Sequence, residues 1–175
     1  VSNNGTVTDK NLNLQGGNNL LLQSQTFTNA VWSGNGIAVA NATAPDGTTT
    51  GYTLTSTGSV TNYQSVVVNG TSAVFSIYVK KGSGATDANI YQIYNNSTAT
   101  TLLRFTINYD TLGITYVTGS SGVSAVSVGN GWTRISCALS TGITSGNTLF
   151  CYAGFVGNAT SGQSVVLWEI GRAHV

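Results

Sequence analysis

Short runs in which apolar and polar residues alternate, broken by turn residues about every ten positions, constrain this chain more than any other feature. Val74-Phe75-Ser76-Ile77-Tyr78-Val79-Lys80 is one such run. In an extended strand successive side chains leave on opposite faces, so Phe75, Ile77 and Val79 share one side and Ser76, Tyr78 and Lys80 the other. A second run follows the turn Gly129-Asn130-Gly131, where Ile135, Cys137 and Leu139 point one way and Arg134, Ser136 and Ala138 the other. Asn-Gly ahead of an alternating run is a hairpin signal, because its backbone tolerates the positive φ that tight turns demand. No stretch carries the 3.6-residue period of an amphipathic helix.

The same pattern predicts strands over 36–40, 52–55, 63–68, 73–80, 89–94, 102–109, 114–117, 123–128, 132–139, 147–156 and 164–168. Ala44-Pro45-Asp46-Gly47 is a turn in which Pro presets φ and Gly accepts a positive one. Asp110-Thr111-Leu112-Gly113 turns the strand before it into the strand after it, and 147–156 is expected to pair back on 132–139. About eleven short strands with turns between them and helix content near zero define an all-β fold, a β-sandwich. At 175 residues the chain has the length of one domain, enough to bury close to ~70% of the surface its unfolded form exposes.

Four segments resemble a known family. Asn19-Leu20-Leu21 through Phe27, Asn29-Ala30 and Trp32, then Ala44-Pro45-Asp46-Gly47, Phe75-Ser76-Ile77-Tyr78-Val79-Lys80 and Gly129-Asn130-Gly131-Trp132-Thr133-Arg134-Ile135-Ser136 are similar, in that order, to the jelly-roll, carbohydrate-binding-module-like domains of bacteriophage tail-fibre and other virion-surface proteins. The resemblance covers about 19–168 and implies a jelly-roll topology, a structural or adhesive role on the virion surface, and host-surface glycans and other virion proteins as partners. Fibre domains often assemble with symmetry, so a homotrimer is the assembly it suggests. A carbohydrate-binding module of a secreted bacterial polysaccharide-degrading enzyme is the alternative from another class.

Charged residues make up 6% of the chain and the net charge is +1. That balance leaves no electrostatic footprint for nucleic acid, and no run approaches the length of about 18 apolar residues that a membrane helix needs. The acids are Asp9, Asp46, Asp87, Asp110 and Glu169, and the one histidine is His174. No acid pair is spaced for glycoside hydrolysis and no imidazole base stands within the strand pattern, so no catalytic residue is expected. A Ca²⁺ ion held by Asp46 or Asp110 with loop carbonyls is the one cofactor these acids would suit, although Asp is equally at home in such turns.

The two ends read differently from the middle. Residues 1–17 are rich in Asn and Gly, with Leu12 and Leu14 alternating, and form a connector or a frayed first strand. At the other end, Ile170-Gly171-Arg172-Ala173-His174-Val175 is what a widely used sequencing adapter encodes in one frame. The chain also lacks Met. We therefore expect a sandwich over 18–169 and, in 170–175, adapter read-through from a metagenomic fragment, with the biological sequence stopping near Trp168.

Cys137 and Cys151 each lie seven residues from Thr144, so a hairpin centred there sets them opposite one another on the core face. A pair of small buried hydrophobes is the first expectation and a disulfide the second, while two thiolates without His fall short of a zinc site. Tyr63, Tyr91, Tyr94 and Tyr116 are the candidates for stacking on sugar rings, although strand propensity alone accounts for tyrosine in such a chain. Tyr91 and Tyr94 differ by three positions and so face opposite sides of their sheet. Arg134 lies outward beside Trp132, where stacking on an aromatic ring is the competing role. Trp32, Trp132 and Trp168 are expected to pack. The Asn-x-Ser/Thr matches at Asn4, Asn41, Asn69, Asn95, Asn96 and Asn158 follow from composition.

Overall fold

The structure, a computed structural model, describes residues 20–21, 24–34, 36–84, 90–119 and 122–170. The connector at 1–17, Asp9, Asp87, Asn4 and the segment 171–175 with His174 lie outside them. Among the described residues the regular elements are all strands, and no helix is long and apolar enough to cross a membrane.

Among the described residues twelve strands form two antiparallel six-stranded sheets. In chain order they are β1 (Trp32–Gly34), β2 (Ile37–Ala42), β3 (Gly51–Thr55), β4 (Ser59–Val67), β5 (Ala73–Lys81), β6 (Ile90–Asn95), β7 (Thr100–Ile107), β8 (Ile114–Thr118), β9 (Val123–Gly129), β10 (Trp132–Leu139), β11 (Thr148–Asn158) and β12 (Ser164–Ile170). The first sheet runs β1-β4-β11-β6-β7-β8 and the second β2-β3-β12-β5-β10-β9. Each sheet has a central quartet, β4-β11-β6-β7 and β3-β12-β5-β10, and the chain crosses repeatedly from one to the other. This alternation is the double Greek key of a jelly roll.

Alternation explains the core. From the second sheet Leu54, Ile77, Val79, Ile135, Val165 and Leu167 point inward, and from the first Tyr91, Ile93, Leu103, Phe105, Ile107 and Leu149, all but completely buried. The β10 strand divides as its sequence implies, with Ile135 and Cys137 buried, Arg134 and Ser136 half-buried and Ala138 exposed. Its turn also forms as expected, with φ of 52° at Asn130 and 77° at Gly131, the pair of positive values of a two-residue hairpin.

One pairing differs from expectation. The β11 strand does not return to β10 but lies between β4 and β6 in the opposite sheet. The connection at 140–147 is a crossover, tied to the first sheet at both its ends. Asn95 Nδ2 donates to Gly142 O and Asn147 Oδ1, while Val68 N donates to Asn147 O and Gly146 N to Val68 O. Asn147 Oδ1 also accepts from Thr144 N and Oγ1, which closes the loop on itself.

The outer faces of the two sheets are treated differently. Across the second sheet lies the segment around Ala44, where Trp132 Nε1 donates to Thr43 O at 3.1 Å and Trp168 Nε1 to Thr50 Oγ1 at 3.1 Å. Trp132, Trp168, Tyr78, Val166 and Ala44 make a second buried cluster there. Trp32 packs instead in the main core against Phe27, ring centroids 4.8 Å apart.

Where β11 crosses the core, Gly154 has φ +89°, and a Cβ placed on it would meet Val165 Cγ1 at 2.7 Å. Gly146 has nearly the same φ, +88°, with open space around it. Gly154→Ala is expected to cost about 3 kcal/mol, backbone strain plus overpacking, and Gly146→Ala about 1 kcal/mol, strain alone. Urea unfolding of both variants checks this, and equal costs would mean that the close approach to Val165 does not matter.

Candidate functional site

The β11 strand fixes the outward face of the first sheet. Leu149, Cys151 and Ala153 are buried in the core, so Phe150 and Tyr152 leave on the solvent side. Register sets their neighbours. Tyr152 lies opposite Tyr63 on β4 and Gln92 on β6, and Phe150 lies opposite Ser65 and Tyr94.

The result is a continuous group of four half-buried aromatic rings. Tyr63 and Phe150 stack with centroids 4.7 Å apart, Tyr63 and Tyr152 are 4.9 Å apart, Tyr94 and Phe150 6.2 Å, and Phe150 and Tyr152 6.4 Å. These separations are those of favourable aromatic pairs, so the rings hold one another in place with one surface still open. Burial raises the Tyr152 pKa above its ordinary value, and the phenolates of Tyr63 and Tyr94 would raise it further. Three phenol groups are therefore gathered beside the apolar ring surfaces. Each can donate or accept a hydrogen bond. Around them stand Ser33, Ser65, Gln92 and Arg104.

Two sequence candidates, Tyr63 and Tyr94, belong to this platform. Tyr91 does not: it is 0% exposed in the main core, and its hydroxyl is 3.0 Å from that of Tyr109. Burial pushes its pKa well above the ordinary value, with Tyr109 adding to the effect. Tyr116 packs against the core and its hydroxyl accepts from Val123 N at 3.2 Å, joining β8 to β9. Both corrections have one cause, inward alternation. Arg134 stands on the outer face of the other sheet between Tyr78 and Val126, away from any open ring. Phe150 and Tyr152 were absent from the sequence candidates, although placing Cys151 on the core face already implied that its two neighbours face outward.

The acids have local partners. Asp46 accepts from Thr48 Oγ1 at 2.7 Å and Thr48 N at 2.9 Å, and these bonds, the side-chain one first, lower its pKa. Asp110 is paired with Lys81 Nζ at 3.2 Å. Glu169 is buried and accepts from Gln25 Nε2. No group of three His, Cys, Asp or Glu side chains able to hold a metal occurs among the described residues.

Cys137 and Cys151 sit on opposite sheets, not side by side in a hairpin, because 140–147 crosses between sheets. Both are free and buried in the one core. Burial pushes each thiol from 9.0 up to about 12, and Cys137 adds to the shift at Cys151.

No protein-family model matches the chain, and a comparison with curated proteins finds no significant match. Among solved structures, the CBM22-1 xylan-binding domain of Paenibacillus barcinonensis Xyn10C aligns over 84% of this chain and 87% of that one, at 16% identity and TM-score 0.46. Carbohydrate-binding modules of the β-sandwich superfamily, described for promiscuous specificity, align over 80% and 53%, at 14% identity and TM-score 0.41. An arabinose-bound α-L-arabinofuranosidase, MgGH51, aligns over 81% of this chain and 22% of that one, at 10% identity and TM-score 0.41.

A group whose folded pKa is raised contributes stability that is complete below its unfolded pKa and is lost as pH climbs towards the folded one. The two thiols should therefore cost the fold stability between about pH 9 and 12. In the Cys137→Ala, Cys151→Ala double variant the urea midpoint should fall less steeply over that range. Ellman's reagent at pH 8 is expected to modify the unfolded chain only. Rapid reaction of the folded protein would show that the thiols are accessible.

Proposed function

We propose that this domain is a non-catalytic carbohydrate-binding module that stacks sugar rings on the outer face of its first sheet. The observation that carries this reading is the platform of Tyr63, Tyr94, Phe150 and Tyr152, with rings in mutual contact and half-open to solvent. A sugar offers a face of C–H groups and a rim of hydroxyls, which suits apolar rings surrounded by phenol, amide and hydroxyl groups. The described acids support a binding role over a hydrolytic one, since Asp46, Asp110 and Glu169 occupy a loop over the second sheet, the β7–β8 turn and the interior of β12.

The resemblance of the segments ending at Trp32, Gly47, Lys80 and Ser136 to phage virion domains supports a location on a tail fibre or capsid appendage, facing glycans of the host surface. The second reading, a module of a secreted polysaccharide-degrading enzyme, rests on the same platform. Tail or capsid genes beside the coding sequence favour the first, and an attached catalytic domain favours the second.

A glycan array probed with the full 175-residue chain tests the binding itself. Selective binding is expected, with Tyr152→Ala or Phe150→Ala weakening it about tenfold or more. Val126→Ser, on the outer face of the second sheet, should change nothing. Chelation with EDTA is expected to leave binding intact, because Asp46 and Asp110 already have partners. A blank array from folded protein would end the glycan reading.

A further inference from the structure

Arg104 is the single charged side chain on the outer face of the first sheet among the described residues. On β7 its neighbours Leu103 and Phe105 are buried, so Arg104 projects outward. It lies directly opposite Gln92, which in turn lies opposite Tyr152, which lies opposite Tyr63. Tyr63, Tyr152, Gln92 and Arg104 thus form one row across four adjacent strands. At a strand spacing of about 4.8 Å, the Arg104 backbone is roughly 10 Å from that of Tyr152, within side-chain reach of a sugar next to one stacked on Tyr152.

Among the described residues no carboxylate pairs with the charge on this row. Arg104 is half-buried, and its Nε is buried without a hydrogen-bond partner. Asp110, the described acid nearest in sequence, lies beyond the end of β7 and is paired with Lys81. A partly desolvated cation without an anion is unfavourable, and a planar guanidinium is well shaped to accept a carboxylate in bidentate fashion. Arg134 also has a buried, unpartnered Nε. However, the rings of Trp132 and Trp168 near it are buried beside the segment around Ala44, so no open ring accompanies it. Among the described residues a cation and an open aromatic platform occur together only at Arg104.

We infer that Arg104 makes this face a reader of acidic glycans, in which a carboxylate-bearing sugar lies next to a sugar stacked on Tyr152 and Phe150. The inference rests on the glycan-binding reading above and adds the class of sugar. The carboxylate can belong to a hexuronate or to a sialate, which share the group that Arg104 recognises.

The test measures affinity of the full chain for polygalacturonate and polysialic acid, each against its carboxyl-reduced neutral product, at low and high salt. At least one acidic polymer should bind about tenfold or more tightly than its reduced form, and salt should erode that preference. Which polymer shows it distinguishes the uronate from the sialate. Arg104→Gln, with folding confirmed by its thermal melt, should abolish the preference by bringing affinity for the acidic polymer down to that for the reduced one, whereas Arg134→Gln, on the other sheet, should preserve the preference. Tyr152→Ala should weaken both forms together. A preference that survives Arg104→Gln overturns the assignment. Equal binding of acidic and reduced polymers that still depends on Tyr152 removes the acidic class but leaves the stacking platform, and no binding to any of the four overturns the acidic class alone, the glycan reading itself being decided by the array.

Discussion

The β11 strand sits at the centre of the first sheet, hydrogen-bonded on one side to β4 and on the other to β6. Its register decides two things at once. Leu149, Cys151 and Ala153 enter the core, while Phe150 and Tyr152 meet Tyr63 and Tyr94 outside. A slip of one residue would put two aromatic rings into the core and Leu149, Cys151 and Ala153 into water, so burial of the inner face is also what holds the outer platform in place. Gly154 belongs to the same constraint, because Val165 of the opposite sheet approaches the backbone there too closely for a side chain.

The two outer faces have different fates for a physical reason. Indole rings carry an N–H that needs a partner once buried, and the second sheet supplies partners by laying the segment around Ala44 over Trp132 and Trp168. Its large rings are thereby spent on packing. The first sheet carries Tyr and Phe, whose rings need no covering loop. Phenol hydroxyls remain satisfied by solvent or by a ligand, which suits a surface that exchanges water for sugar. Arg104 stands at the margin of that surface as its one charge among the described residues.

Much of this was legible in the sequence and some was not, for traceable reasons. Alternation along 73–80 and 132–139 identified β5 and β10 and their buried faces, because period two is a local property of a strand. The Asn130-Gly131 turn was equally readable, since its demand for positive φ is local too. Partner choice is not local. Cys137 and Cys151, placed evenly about Thr144, suggested a hairpin, but the buried Asn95 and the backbone of Val68 hold 140–147 in a crossover. That error hid the platform, whose members come from β4, β6 and β11 and meet only through their pairing. Tyr91 and Tyr94 shared one strand, and parity separated them correctly, yet nothing local told which of the two was the inward one. The short β1 also escaped notice, as three residues carry too little pattern.

The most direct test of the central claim is an aromatic ¹H–¹³C NMR titration of the domain with a glycan that it binds. Resonances of Tyr63, Tyr94, Phe150 and Tyr152 should move together along one saturation curve, while those of Tyr91, buried in the core, and of Trp132 and Trp168 on the other sheet stay in place. Shifts confined to Tyr78, Trp132 and Trp168, with the four platform rings unmoved, would contradict the account and transfer the ligand to the second sheet.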